Sequence, residues 1–507
     1  MKQRRTYLVG DPDSFTPEQL EVKDGSLWLK GLKAVAEHRV TFNVDELPKE
    51  VRKFLKQWQE LHIKWASMKP FTAIPPFTSR VTPGLHVLYE PHNTQPKVQL
   101  CDLLRSVFDP ENDCSFDLDA EEIATPVFHA TVGEESDASL QYYSYLPSLH
   151  QLVSLIEESF CPKSSDLEKC IEYANSLLKA SYLDIDFSAS STNLVLTAFF
   201  DSPTHGWTTH VPAPSHGHTI EVGVLTHEPN PDPEDIAFGG FLTVLGPDAA
   251  PKPTRFQTPT RHYPLSYPLT YMSRFAHPTG LHPTLELSFP SAQLIPPDET
   301  CKLYTHLTLP SYLFIDKYQF NDPLFLSSHL LASLLYVTGA TDLEAPEWVV
   351  SRWGSTALFR LVSPKEFPED IKEQEWTVTI PLHLRYLPVA SSSHTRVPVP
   401  WPVVFWACDA EQDSSGNPFD RKNLGYDSAF AKEKRFMHVP PNESGNGTGN
   451  LVNWIDVPVL DSRAADWVEM GTIGVVIVAF LGLCWVLFKG GRGKRGKGME
   501  EKVKKKQ

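Results

Sequence analysis

Apolar and polar residues alternate most clearly between 376 and 386, where Trp376, Val378, Ile380, Leu382, Leu384 and Tyr386 occupy even positions and Thr377, Thr379, His383 and Arg385 fall between them. Successive side chains of an extended chain point to opposite faces, so this period of two predicts a strand with one buried face, with Pro381 at an edge or bulge. Residues 284–289 and 303–309 alternate in the same way. The nearly continuous apolar stretch 397–408 predicts a strand buried on both faces. Short strands separated by proline-rich turns describe an antiparallel β-sandwich over 269–413. The first half is more mixed. Residues 49–68 carry Val51, Phe54, Leu55, Trp58, Leu61 and Trp65 at helical spacing, and 149–160 with 165–178 predicts a helical hairpin. Strands are expected at 39–44, 85–89, 192–200 and 219–225, giving an α+β domain over 1–246. A Pro/Thr-rich linker follows at 247–268, and a polar Gly/Asn-rich stalk at 414–469. The expected fold is therefore mainly β.

One stretch departs from this pattern altogether. Residues 470–488 (MGTIGVVIVAFLGLCWVLF) contain no charge. As a helix they would span about 28 Å, close to the roughly 30 Å hydrocarbon core of a bilayer, which predicts one transmembrane helix. The tail 489–507 holds nine Lys or Arg against two Glu, a net of +7, so the preceding part carries −23 of the chain's overall −16. Basic residues flanking a span are retained in the cytosol, so the tail is expected there and the acidic body in the lumen. Asn442-Glu443-Ser444 and Asn446-Gly447-Thr448 fit the N-glycosylation sequon. Lys504 and Lys505, fourth and third from the end, match the dilysine retrieval signal of endoplasmic reticulum membrane proteins. The start, MKQRRTYLVGDPDSF, has no apolar stretch behind its positive charges, so no cleaved leader is expected. A tail-anchored topology fits that feature but would carry the basic tail across the membrane.

Catalytic chemistry is harder to find. His205, His210, His216, His218 and His227 crowd into one region, but their spacing matches no zinc motif, and a proline-rich loop is the expected setting. Asp117/Asp119 and Asp184/Asp186 have the D-x-D form with which glycosyltransferases hold a metal and a nucleotide. Solvated strand ends are the expected reading, and an orphan glycosyltransferase is the alternative. No phosphate-cradling glycine loop, G-x-S-x-G or C-x-x-C is present, and the acidic body argues against nucleic acid as a partner. No catalysis, cofactor or metal is expected. Six cysteines precede the anchor and allow fifteen pairings, among which Cys161 with Cys170 and Cys301 with Cys408 are the favoured candidates.

Four stretches carry a resemblance: LPSYLFIDKY at 309–318, DLEAPEW at 342–348, IPLHLRY at 380–386 and PVVFWAC at 402–408. In order and content they resemble the PIG-X family, whose fungal members are the protease B non-derepressible proteins. The match is good over about 270–410, while the first half resembles the fungal branch alone. The resemblance implies a non-catalytic, single-span glycoprotein of the endoplasmic reticulum. Such a protein binds and stabilises the multi-span, PIG-M-like catalytic subunit of GPI mannosyltransferase I, which adds the first mannose in GPI-anchor biosynthesis. Glu344, His383 and Arg385 are the candidate partner surface. A broader lumenal chaperone for several clients is the alternative.

Overall fold

The computed structural model of the chain describes all residues except 93–96, 111–138, 164–165, 215–217, 230–234, 278, 344, 351–352, 367–374, 412–416, 418, 422, 443, 445–448 and 496–507, with backbone alone at 97–99, 163 and 490–495. It is mainly β, in several sheets, with one long carboxyl-terminal helix.

The largest sheet has ten strands, in the order Lys252–Pro259, Asp235–Val244, Thr219–Glu228, Lys2–Val9, Val35–Asn43, Asn193–Phe200, Tyr182–Ser188, Trp58–Ala66, Gly84–Pro91 and Leu140–Ser144. Lys2–Val9 pairs parallel to Thr219–Glu228, and the other neighbours are antiparallel. One face is largely apolar: Tyr7, Ala36, Ile63, Trp65, Leu183 and Val222 point into a core shared with Leu27, Leu29 and Val211 of a small sheet. The helices Lys97–Val107 and His150–Leu155 contribute Leu100, Leu104 and Val153 to the buried interior. Each such Leu or aromatic side chain withdrawn from water contributes about 1.5–3 kcal/mol. The opposite face is apolar at one end, with Leu8, Val35, Tyr182 and Phe199, and charged at the other.

Residues from the second half cover that opposite face. A six-stranded sheet runs in the order His262–Tyr263, Lys434–Val439, Val403–Asp409, Lys302–Pro310, Gly354–Leu361 and Leu331–Gly339. Its Leu358, Val403, Phe405 and Phe436 share one core with Leu8, Tyr182 and Phe199. Met272–Phe275, Thr284–Pro290 and Glu375–Pro381 form a three-stranded sheet in which Leu285, Leu287 and Phe289 face Ile380, Val378 and Trp376, all buried.

Met1–Arg385 with Pro398–Ile455 therefore forms one compact unit, and Tyr386–Val397 with Asp456–Gln507 forms another. Several expectations are corrected by this arrangement. The expected linker 247–268 contains Lys252–Pro259, the edge of the ten-stranded sheet, and His262–Tyr263, the edge of the six-stranded one. The expected stalk supplies Lys434–Val439, because Phe436, His438 and Val439 bury inward after the charged Lys434 and Arg435. Residues 49–68 split into a helix, Lys49–Leu55, and a strand, Trp58–Ala66, since from Trp58 onward the apolar period is two. The stretch 397–408 also splits, at Trp401-Pro402, where proline withholds the amide that a continuous ladder requires.

In the second unit the helix Ser462–Arg495 begins where the Ser462 amide donates to the Ala390 carbonyl at 2.8 Å. Its segment Ser462–Lys489 is long and apolar enough to cross a membrane, and it contains the expected span 470–488. Trp467 and Trp485 mark the two ends of the apolar stretch, where amphipathic rings favour the headgroup region. The Lys489 ammonium sits 4.3 Å from the Trp485 ring centroid.

Candidate functional site

Two buried arginines organise the polar chemistry of the first unit. The first lies over the charged end of the ten-stranded sheet. Directly opposed residues form a row across seven strands: Glu221, Arg4, Arg39, Thr197, Asp184, Lys64 and His86. Strand pairing thus sets unlike charges beside each other at Asp184 and Lys64, whose Oδ1 and Nζ are 2.7 Å apart with both side chains 1% exposed. One step along the same strands, His62 Nδ1 lies 2.7 Å from Asp186 Oδ1 and its Nε2 lies 2.8 Å from Glu60 Oε2. A segment from the second half closes over them. Arg421 donates from Nη2 to Glu37 Oε2 and from Nε to the Phe77 carbonyl, each at 2.5 Å, and its Nη1 is 3.9 Å from Asp184 Oδ2. The Asn423 amide lies 2.9 Å from His62 Nε2.

Four carboxylates, of Glu37, Glu60, Asp184 and Asp186, meet the charges of His62, Lys64 and Arg421. Burial works against a charged His62, but its hydrogen bonds to Asp186 and Glu60 outweigh it and push the imidazole up to about 9. Burial would also raise Asp186, yet the Lys64 charge and the His62 hydrogen bond hold it below the ordinary carboxylate range. Arg421 is desolvated as well, and Glu37 and Asp184 more than offset that cost. The expectation that Asp184/Asp186 is a solvated strand end is thus corrected: Asp184 is buried, and both carboxylates are engaged by cations rather than offered to a metal. Asp117/Asp119 lie outside the described residues.

The second arginine is Arg385. The alternating pattern places it on the exposed face, but it is 2% exposed. Four of its N–H groups donate to carbonyls: Nε to Ser311 at 3.1 Å, Nη1 to Asp342 at 2.6 Å and to Ala345 at 2.8 Å, and Nη2 to Ala340 at 3.1 Å. Its guanidinium carbon lies 4.3 Å from the centroid of Phe314. A planar fork of donors suits this position, where the chain turns from Leu331–Gly339 toward Gly354–Leu361 and leaves carbonyls without ladder partners. Gly354 closes the loop at φ +152°, and a Cβ there would stand 2.0 Å from the Leu309 carbonyl oxygen. The loop so fastened exposes Leu343, Trp348 and Val349, and Glu347 accepts from the Ser311 hydroxyl at 3.0 Å. Arg385 is therefore a fastening inside the candidate partner surface and not part of its exterior. His383 is half-buried, stacked 5.2 Å from Phe314. Glu344 lies outside the described residues.

The remaining candidates are dispersed. Cys161 and Cys170 are joined, closing the turn before Leu167–Ser176, whose first residues are capped by Asp166. Cys301 and Cys408 are joined where Lys302–Pro310 and Val403–Asp409 run side by side. Asp298 lies beside the second pair in a group with metal-ligand spacing, but the two sulfurs bond each other and Asp298 takes Arg435 at 2.8 Å. Asn442 is partly exposed and accepts the Ser444 amide at 3.0 Å, while Asn446, Lys504 and Lys505 lie outside the described residues. Of the histidines, His210 and His227 are strand residues stacked against Trp28 and edge-on to Phe238, in place of the expected loop. Sequence reasoning missed Glu37, Lys64 and Arg421; a lysine amid Leu61, Ile63 and Trp65 was the available signal.

Residues 278–488 match the family model described as PIG-X / PBN1. A pbn1 protein of Emericella nidulans is 43% identical over an alignment covering 98% of this chain and 97% of that protein. One from Aspergillus fumigatus is 42% identical, covering 96% and 94%. A PBN1 protein of Saccharomyces cerevisiae is 28% identical, over 54% of this chain and 60% of its own length.

Proposed function

Because the chain belongs to the PIG-X / PBN1 family, we propose that it is a non-catalytic subunit of the endoplasmic reticulum membrane that binds and stabilises the multi-span, PIG-M-like catalytic subunit of GPI mannosyltransferase I. Membership supports a role in GPI-anchor biosynthesis. The observation that supports the finer reading is the loop fastened by Arg385, which holds Trp348 and Val349 out in solvent on a rigid base. Aromatic anchors on a preorganised loop are the residues that carry binding energy at protein interfaces. In this reading the acidic body faces the lumen and the anchor lies alongside the partner's helices. A protein that binds only the folded partner stabilises it by mass action.

The test replaces Trp348 and Val349 together by Ser in cells that depend on this chain. The expected result is a severalfold fall in the catalytic subunit and in first-mannose addition, with this chain's own level unchanged. An unaltered catalytic-subunit level after complete depletion of the chain removes the reading. A fall in many unrelated membrane proteins supports the general chaperone instead.

A further inference from the structure

Toward the Lys2 end of the same row, beyond the carboxylate-rich cluster, cations predominate. Lys2 stands opposite Thr41, and Arg4 stands opposite Arg39, so four side chains share one face of two adjacent strands. Phe419 closes the side, with the Arg4 guanidinium carbon 5.7 Å from its ring centroid. Among the described residues these five line a cavity of about 280 Å³. Like charges directly opposite each other destabilise a sheet pair. Glu221 relieves part of this, lying 2.9 Å from Lys2 and 3.1 Å from Arg4. Arg39 gains little: Glu37 Oε1 approaches its Nε only to 3.8 Å while Glu37 Oε2 holds Arg421, and among the described residues no acceptor reaches the Arg39 Nε. Three cations thus converge on one open hole in a chain whose net charge is −16.

We propose that this cavity binds a phosphate ester. Arg4 already gives Nε and Nη2 to Glu221, so the phosphoryl oxygens take its remaining Nη1, the Nη groups of Arg39, the Lys2 ammonium and the Thr41 hydroxyl, and the Phe419 ring faces the ester carbons. Arginine suits that role because its planar donors match two phosphoryl oxygens at once. The anion offsets the repulsion between the opposed arginines. The inference stands apart from the accessory-subunit reading, since it requires no protein partner.

The test titrates the full chain in detergent with glycerol 3-phosphate and with dihexanoyl phosphatidic acid, using glycerol as the neutral control, and follows heat of binding. Saturable binding of the soluble ester alone identifies a free phosphate ester as the source, and much tighter binding of the lipid identifies a headgroup; either supports the site. Arg4→Gln and Arg39→Gln are each expected to weaken binding about tenfold, as loss of a charge-assisted hydrogen bond does. Lys2→Gln, at the exposed rim, supplies a variant that folds irrespective of the sheet interior and is expected to weaken binding by a smaller factor. Lys30→Gln, on an exposed pair with Glu21 elsewhere, is the control. No saturable binding of either ester at millimolar concentration, or equal weakening by Lys30→Gln, overturns the proposal.

Discussion

Arg421 and Arg385 are both buried, yet they are satisfied by opposite means. Arg421 meets carboxylates, so its charge is neutralised, and Glu37 would lose its close cation without it. Arg385 meets four neutral carbonyls and a ring, and burial lowers its pKa with only distant help from Asp342 and Glu347. The first joins segments 384 residues apart in sequence, the second ties loops 40 to 74 residues away. The contrast teaches that one guanidinium serves the integrity of the whole first unit and the other the shape of a single surface.

Arg421→Met should produce the largest effect. It leaves Glu37 buried and unpaired and is expected to cost about 3–5 kcal/mol, read as a lowered midpoint in urea unfolding of the detergent-solubilised protein. Arg421→Met with Glu37→Gln should recover part of that loss, and a double variant no more stable than the single would break the idea of an ion-paired clasp. A pH series sharpens the same side of the comparison. His62 has a folded pKa of about 9 against about 6.5 when unfolded, so its contribution is fully present below about 6.5 and is lost as pH rises through 9. Asp186, held below its ordinary range, works in the other direction, stabilising above about 4 and losing its contribution in acid. His62→Gln should flatten the alkaline limb of the stability curve by about 2–3 kcal/mol.

Arg385→Lys is expected to be milder, costing about 1–2 kcal/mol, because an ammonium cannot reach four carbonyls and the loop relaxes toward water. Limited proteolysis should then cut between 340 and 350 while Arg421→Met opens the unit generally; identical digestion patterns would erase the distinction. Smallest in stability is Trp348→Ser, within about 0.5 kcal/mol, although the proposed function expects a large fall in the catalytic subunit's abundance.

How much of this was legible followed from where burial was apolar. The strand Glu375–Pro381 was readable since Trp376, Val378 and Ile380 all face inward. The strand Trp58–Ala66 was not: Trp58, Leu61 and Trp65 fit a helical period as well as an extended one, and His62 and Lys64 look solvated by composition although they sit in the interior. The stretch after 413 misled for the same reason. Arg421, Asn423 and His438 read as a polar stalk, and ion pairing that lets polar groups be buried leaves no trace in hydropathy. Arg385 followed the alternation but was turned inward by carbonyls belonging to distant loops, which no local period encodes. Long-range register, as between Arg4 and Arg39, was equally invisible before the strands were paired.

The strand Lys2–Val9 is made before both of its neighbours, Val35–Asn43 and Thr219–Glu228, and the lid bearing Arg421 comes later still. A nascent chain therefore carries an open edge and a bare row of charges through most of its synthesis, and it seals them only some forty residues before the anchor helix emerges. Birth order and sheet order run against each other here, so the bare row stays exposed to mispairing until the segment bearing Arg421 has been made.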